Sequence, residues 1–178
     1  MFVYEFIRMV IMSFIFLNFL FYQIIWLVSI YGATNFPGYF GPLSALIFLI
    51  IHFIFIKDRL YQFKVMIAVT FVGVMIESLV HKQFVYSFVN FDFHLIPYWL
   101  IGIWLCFSCT LLYSLRLILK NQWFSFIGGA IFGPLSYHAA YEMGAIQITH
   151  PIFSYLILAI SWGFGLLSVH YTLFKKNN

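Results

Sequence analysis

Residues 39–81 read YFGPLSALIFLIIHFIFIKDRLYQFKVMIAVTFVGVMIESLVH, two apolar stretches joined by the charged segment KDRLYQFK at 57–64. Each stretch approaches the about 20 helical residues needed to cross a hydrocarbon core of about 30 Å. The charges fall between them, where a chain turning at a membrane surface places its charges. The pair predicts a helical hairpin that crosses the bilayer twice. One residue interrupts it, a glutamate at position 77.

The rest of the chain extends the pattern. Of 178 residues, 64% are hydrophobic and only 8% are charged, and the mean hydropathy is +1.00. Such a chain has too little polar surface to stay dissolved in water. It reads as an all-α, polytopic membrane protein with six transmembrane helices, at about 10–30, 39–56, 65–81, 97–118, 123–143 and 151–174. Residues 1–178 then form a single membrane domain. The segment 83–96 is apolar and aromatic but too short to span, so it is expected to lie at the interface or to dip back in. The first apolar run exceeds a typical signal h-region and reads as a retained span. The net charge of +4 comes from basic residues set beside apolar runs, not in a stripe. No nucleic-acid partner is implied; the partner is the lipid bilayer.

Sorting the charges by side orients the chain. With both termini cytoplasmic, Arg8, Lys57, Arg59, Lys64, Arg116, Lys120, Lys175 and Lys176 lie inside and Lys82 alone lies outside. An odd number of spans would scatter these clusters over both faces. Glu5 beside Arg8, and Asp58 between Lys57 and Arg59, read as local ion partners.

Small-residue patterns suggest packing. Phe40-Gly41-Pro42-Leu43-Ser44 recurs as Phe132-Gly133-Pro134-Leu135-Ser136, in the second helix of each three-helix half. A 3+3 inverted repeat of the kind found in carriers would place them so, although chance in a Phe- and Gly-rich chain also produces such a match. Gly129-xxx-Gly133, and the stripe Ser154, Ser161, Gly165 and Ser168, read as close-packing faces of the fifth and sixth helices. Cys106 and Cys109 lie mid-helix, one turn apart, a poor geometry for a disulfide, and read as small packing residues.

Glu77 has no topological explanation. A carboxylate inside a span must face the bundle, find a partner or hold a proton. His81 follows at i+4, within reach of a shared hydrogen bond, and His138 with Glu142 forms a second such pair. Asn18 and Gln23 on the first span need partners as well, because unpaired amides in hydrocarbon are costly. The candidate polar site therefore comprises Glu77, His81, Asn18, Gln23, Tyr137 and His138, with Glu142, Asp92 and His94 as its rim. A hydrogen-bonded cluster suits these residues better than a metal site, and no metal or cofactor is expected. His52, near the cytoplasmic end, reads as an interface histidine.

The chain resembles the bacterial domain-of-unknown-function family 2878, small inner-membrane proteins. The resemblance rests on Asn18-Phe19 with Gln23 and Trp26, Gly32-Ala33, Gly41-Pro42, Glu77, Trp104 with Thr110 and Ser114, Gly133-Pro134 with Tyr137, and Gly144-Ala145. His81, His138 and Glu142 stand outside those positions. The resemblance implies a multi-pass protein of the bacterial inner (cytoplasmic) membrane. Through gene neighbours resembling fatty-acid-modifying enzymes such as cyclopropane-fatty-acid synthase, it also implies lipid work. Three readings follow. The first is a membrane component of lipid or fatty-acyl modification, catalytic or accessory, with a lipid-like substrate and a polar centre near the outer leaflet. The second is a small proton-coupled carrier built on an inverted repeat. The third is a structural or assembly subunit that binds other membrane proteins.

Overall fold

A computed structural model describes residues 2–35, 38–82, 85–89 and 96–174. Among them are seven helices: α1 (Phe2–Asn35), α2 (Phe40–Phe55), α3 (Arg59–Lys82), α4 (Tyr98–Leu111), α5 (Arg116–Leu119), α6 (Gln122–Glu142) and α7 (Pro151–Leu173). Two short strands, β1 (Ser87–Phe88) and β2 (Ile146–Gln147), pair antiparallel. The fold is all-α apart from that ladder. Three helical segments, Met12–Asn35, Arg59–His81 and Pro151–Leu173, are long and apolar enough to cross a membrane. Phe40–Phe55 and Tyr98–Leu111 are shorter apolar helices. Asp92, His94, Lys175 and Lys176 lie outside the described residues, as does the side chain of Arg8.

Local chemistry sets the helix ends. In the 57–64 segment, the Tyr61 amide donates to Asp58 Oδ1 (3.3 Å) and Arg59 Nη2 donates to the Ile54 carbonyl (3.2 Å). One charge thus caps the start of α3 and the next caps the end of α2. Asp58 therefore serves as a helix cap as well as a topological charge. Asn121 caps α6 by accepting from the Trp123 and Phe124 amides at 2.9 and 3.2 Å. Pro151 opens α7 at a position where proline forfeits no helical hydrogen bond.

The first and third helices are longer than the expected 10–30 and 65–81, α1 running on to Asn35 and α3 beginning at Arg59 inside the expected charged loop. The fourth is shorter. A helix over about 97–118 was anticipated, but α4 stops at Leu111 and the chain turns before the single turn of α5. Ser108 and Thr110 hydroxyls donate to the Leu105 and Phe107 carbonyls, both at 2.6 Å, competing with the helical ladder. Ser114 is then turned inward, where its hydroxyl donates to Asn18 Oδ1 (2.8 Å). A tertiary partner ends this helix, and hydropathy carries no trace of it.

The helices run up and down. At one end, Gly38 lies beside Tyr98, Gly41 beside Trp99, and β1 pairs with β2. At the other, Gln62 reaches the Ser108 carbonyl, Tyr113 packs edge-on to His52, and His170 hydrogen-bonds the Leu119 carbonyl. Residues 85–89 dip into the bundle: Val85, Tyr86 and Phe88 are buried in the main core with Ile30, Trp99, Ile103 and Tyr137. Cys106 and Cys109 are free and buried, and the Cys106 thiol faces the Ala45 carbonyl.

The outward faces are the reverse of a soluble protein's. Leu46, Ile50 and Ile54 of α2, Phe71, Met75 and Leu79 of α3, and Ile152, Leu156 and Ile160 of α7 are all exposed. Water does not tolerate contiguous apolar faces of this extent, which points to membrane embedding.

Helices α1 to α4 pack among themselves, whereas α6 packs chiefly on α7. The α6–α7 contact is close. A Cβ at Gly129 would overlap the Trp162 carbonyl, and one at Gly133 would overlap the Trp162 ring. Gly129-xxx-Gly133 is therefore a packing face. The Ser154–Ser168 stripe is not one surface. Ser154 is buried and donates to the Val85 carbonyl, but a Cβ at Gly165 would meet nothing within 4 Å. Ser161, Gly165 and Ser168 border open space, because α7 turns this face away from α6.

Candidate functional site

Glu77 sits on α3, about a turn and a half before its C-terminal end, and is only 3% exposed. Tyr86, from the segment that dips into the bundle, donates its hydroxyl to Oε2. Tyr137 of α6 donates its hydroxyl to Oε1. Each carboxyl oxygen of Glu77 thus has its own phenol, as a buried acid requires. The two phenol rings lie 5.0 Å apart between centroids. His81 does not reach Glu77. Its Nδ1 bonds the Tyr86 carbonyl at 3.0 Å and its ring packs on Phe88 at 4.9 Å, so it steadies the tyrosine that holds the acid.

Two glycines make room beneath this centre. Gly73 lies one turn before Glu77 on α3, and its missing Cβ leaves space filled by the Trp104 ring. Gly133 stands one turn before Tyr137 on α6, and the Trp162 ring fills the matching space. The two indoles stack on each other, 5.2 Å apart and 10° from parallel, with Phe107 edge-on to both. Glu77 and Tyr137 therefore rest on a platform whose halves come from opposite sides of the bundle.

Two cavities meet at this platform. The larger, about 480 Å³, is a groove between α3 and α7 that runs from Lys64 to Glu77 and Tyr137. Val65, Val69, Val72, Phe107, Leu158 and Leu166 give it apolar walls, with Ser161, Gly165, Ser168 and Thr172 along its α7 side. The smaller, about 70 Å³, lies inside the bundle among Tyr22, Trp26, Ile30 and Trp99. Glu77, Tyr137, Trp104 and Trp162 border both.

The other sequence-predicted residues lie elsewhere. Asn18 joins a separate cluster toward the opposite end, where its amide nitrogen donates to His52 Nδ1 (3.3 Å) and its oxygen accepts from Ser114. His52, stacked on Phe48 at 5.7 Å, leaves Nε2 buried without a partner. Gln23 is half-buried and lines neither cavity. His138 is exposed on α6 and bonds the Tyr155 hydroxyl at 2.8 Å, and Glu142 is exposed near the helix end. Glu77 and Tyr137 meet, while Asn18 is held by α2 and the turn after α4. Among the described residues, no three His, Cys, Asp or Glu side chains converge.

Sequence reasoning missed Tyr86 and Trp162. Tyr86 sits in a short aromatic segment in which no residue type stands out. Trp162 had a legible signal, since a large ring facing a Gly-xxx-Gly helix must occupy the space those glycines leave.

Comparison with known proteins yields no match to a curated protein or to a solved structure. A family model described as a protein of unknown function (DUF2878) matches residues 15–167, a stretch that contains Asn18, Glu77, Tyr86, Tyr137 and both platform tryptophans. By that match, the chain belongs to the DUF2878 family.

Proposed function

We propose that this is a six-span inner-membrane protein, a single membrane domain with both termini cytoplasmic, that takes a lipid acyl chain into the α3–α7 groove. In this reading it serves as a membrane component of lipid or fatty-acyl modification, with Glu77, Tyr86 and Tyr137 as its polar centre toward the outer leaflet. The observation that carries the reading is the groove, apolar along its length and ending at a buried carboxylate. Space of this kind in a bilayer fills with hydrocarbon, because apolar cavities stay dry and unfilled ones forfeit dispersion contacts. Basic residues from the α2–α3 and α4–α6 connections share one end of the bundle, which supports the cytoplasmic assignment of that end.

A lipid carrying a photoactivatable group on its acyl chain tests the binding step. Labelling should map to α3 and α7, and Gly165→Phe, which fills open space, should abolish it. Labelling spread evenly over the outer faces would sink the proposal. At the level of function, a deletion strain should accumulate lipid precursors, and the reconstituted protein should carry no flux in proteoliposomes.

A second reading, a proton-coupled carrier, draws on the position of Glu77 between the groove and the inner cavity. Substrate-dependent proton flux lost in Glu77→Gln would favour it. The two FGPLS segments lend it little. Ser44 and Ser136 each donate to the carbonyl three residues back (2.8 and 2.7 Å), but the first segment opens α2 against Trp99 and the second sits mid-α6 against Trp162. Full complementation of the deletion by both Glu77→Gln and His81→Ala would leave the assembly-subunit reading.

A further inference from the structure

The groove has a polarity that the acyl-binding reading alone does not use. Among the described residues, the basic residue that lines it is Lys64, at the end where α3 begins, with Thr172 beside that mouth on α7. Trp104, Trp162, Leu158 and the Glu77–Tyr137 pair line its far end, with Val80 just beyond them. Both oxygens of that acid already accept from phenols, so it has its hydrogen-bond partners inside the protein and does not need an occupant's headgroup.

The dimensions narrow the occupant further. Between Lys64 and Glu77, α3 rises about 20 Å, more than the about 15 Å of one leaflet's hydrocarbon. The groove, about 480 Å³, is long and apolar enough to take an acyl chain along α3. The groove is open on its side, because α3 packs on α4 and α7 on α6. A second chain can stay in the bilayer while the first is inserted.

Resting on the acyl-binding reading above, we infer that the groove's occupant is an anionic phospholipid of the cytoplasmic leaflet. Its phosphate sits at Lys64, and one chain lies along α3 with its terminal carbons against the Trp104–Trp162 platform. Lys64 at the membrane surface supplies the charge complementarity, and the anionic cytoplasmic leaflet supplies the ligand. The head-to-tail direction follows from the groove itself, cationic at its mouth and apolar with a satisfied acid at its end. It follows that the centre meets the chain and not the headgroup.

The experiment is lipid retention by the purified full-length protein. Phosphatidylglycerol and phosphatidylcholine with identical 16-carbon chains are offered in equal amounts, and bound lipid is read by native mass spectrometry. Wild type should retain phosphatidylglycerol over phosphatidylcholine by about fivefold. Lys64→Gln should remove that preference while lipid is still retained, and Gly165→Phe should lose both lipids. Gly165→Leu serves as a second groove-filling variant if the phenylalanine disturbs folding. Equal retention of the two lipids by wild type would overturn the inference and leave the acyl-binding reading standing. So would a preference that survives Lys64→Gln, or displacement of phosphatidylglycerol by an equal amount of free palmitate. If groove-filling variants retain as much lipid as wild type, the acyl-binding reading fails with it.

Discussion

On the face of α7 that meets α6, Gly163 packs on the Phe126 ring, and Trp162 fills the spaces left by Gly129 and Gly133. On the face turned toward α3, Ser161, Gly165 and Ser168 border an open groove, and Gly165 has nothing within 4 Å of where a Cβ would be. Both faces carry small residues. Their consequences are opposite, because a small residue lets a neighbour approach only if a neighbour is there. Across α6–α7 it closes a seam; across α3–α7 it widens a channel. The open side is tied shut at one end by the Tyr137 hydroxyl of α6 on the Glu77 carboxylate of α3.

The largest effect should come from forcing the closed seam apart. Gly129→Leu places a side chain in the Trp162 backbone, and no folded protein should elute at the wild-type position in detergent size-exclusion chromatography. Normal elution and melting would mean that α6 and α7 cross further apart than described. The tie across the open side comes next. Glu77→Leu strands two buried phenols and should lower stability by about 2 kcal/mol or more. Glu77→Gln keeps an acceptor for one of them and should cost roughly half as much. Chemical denaturation in micelles distinguishes the two, and equal losses would argue against a paired-phenol tie.

Smaller effects sharpen the contrast. The Asn18–His52–Ser114 cluster lines neither of the two cavities, and His52 Nε2 lacks a partner. His52→Phe removes that unsatisfied group at the cost of one hydrogen bond, so stability should stay within about 1 kcal/mol of wild type. A large loss would show that Nε2 has a partner in the membrane. Gly165→Ala should be the mildest, within about 0.5 kcal/mol by thermal unfolding. A drop comparable to that of a seam glycine would mean that α3 closes on α7.

Much of the helical layout was legible. Helices expected at about 39–56, 123–143 and 151–174 run Phe40–Phe55, Gln122–Glu142 and Pro151–Leu173, because hydropathy, charge and proline placement act within a single segment. The early end of α4 was not legible, since Ser114 turns inward only because Asn18 is there to receive it. At the site, Glu77 stood out because an acid among apolar neighbours is rare along the chain. Tyr137 entered through the family resemblance, which joins it to Gly133-Pro134. Asn18 carried an equally clear demand for a partner, but helical periodicity states that a partner exists and not which helix provides it.

What the sequence determined by itself is the solvent the protein is built for. It also marked where most helices run and which buried acid needs an explanation, since these depend on composition and on spacing along one helix. The tertiary structure alone decided that Tyr86 and Tyr137 share Glu77 while Asn18 goes to His52. It alone decided that one glycine of α7 closes a seam and another leaves a groove. Those outcomes depend on distances between segments far apart in the chain, and a run of residue types does not encode which of two faces will have a neighbour.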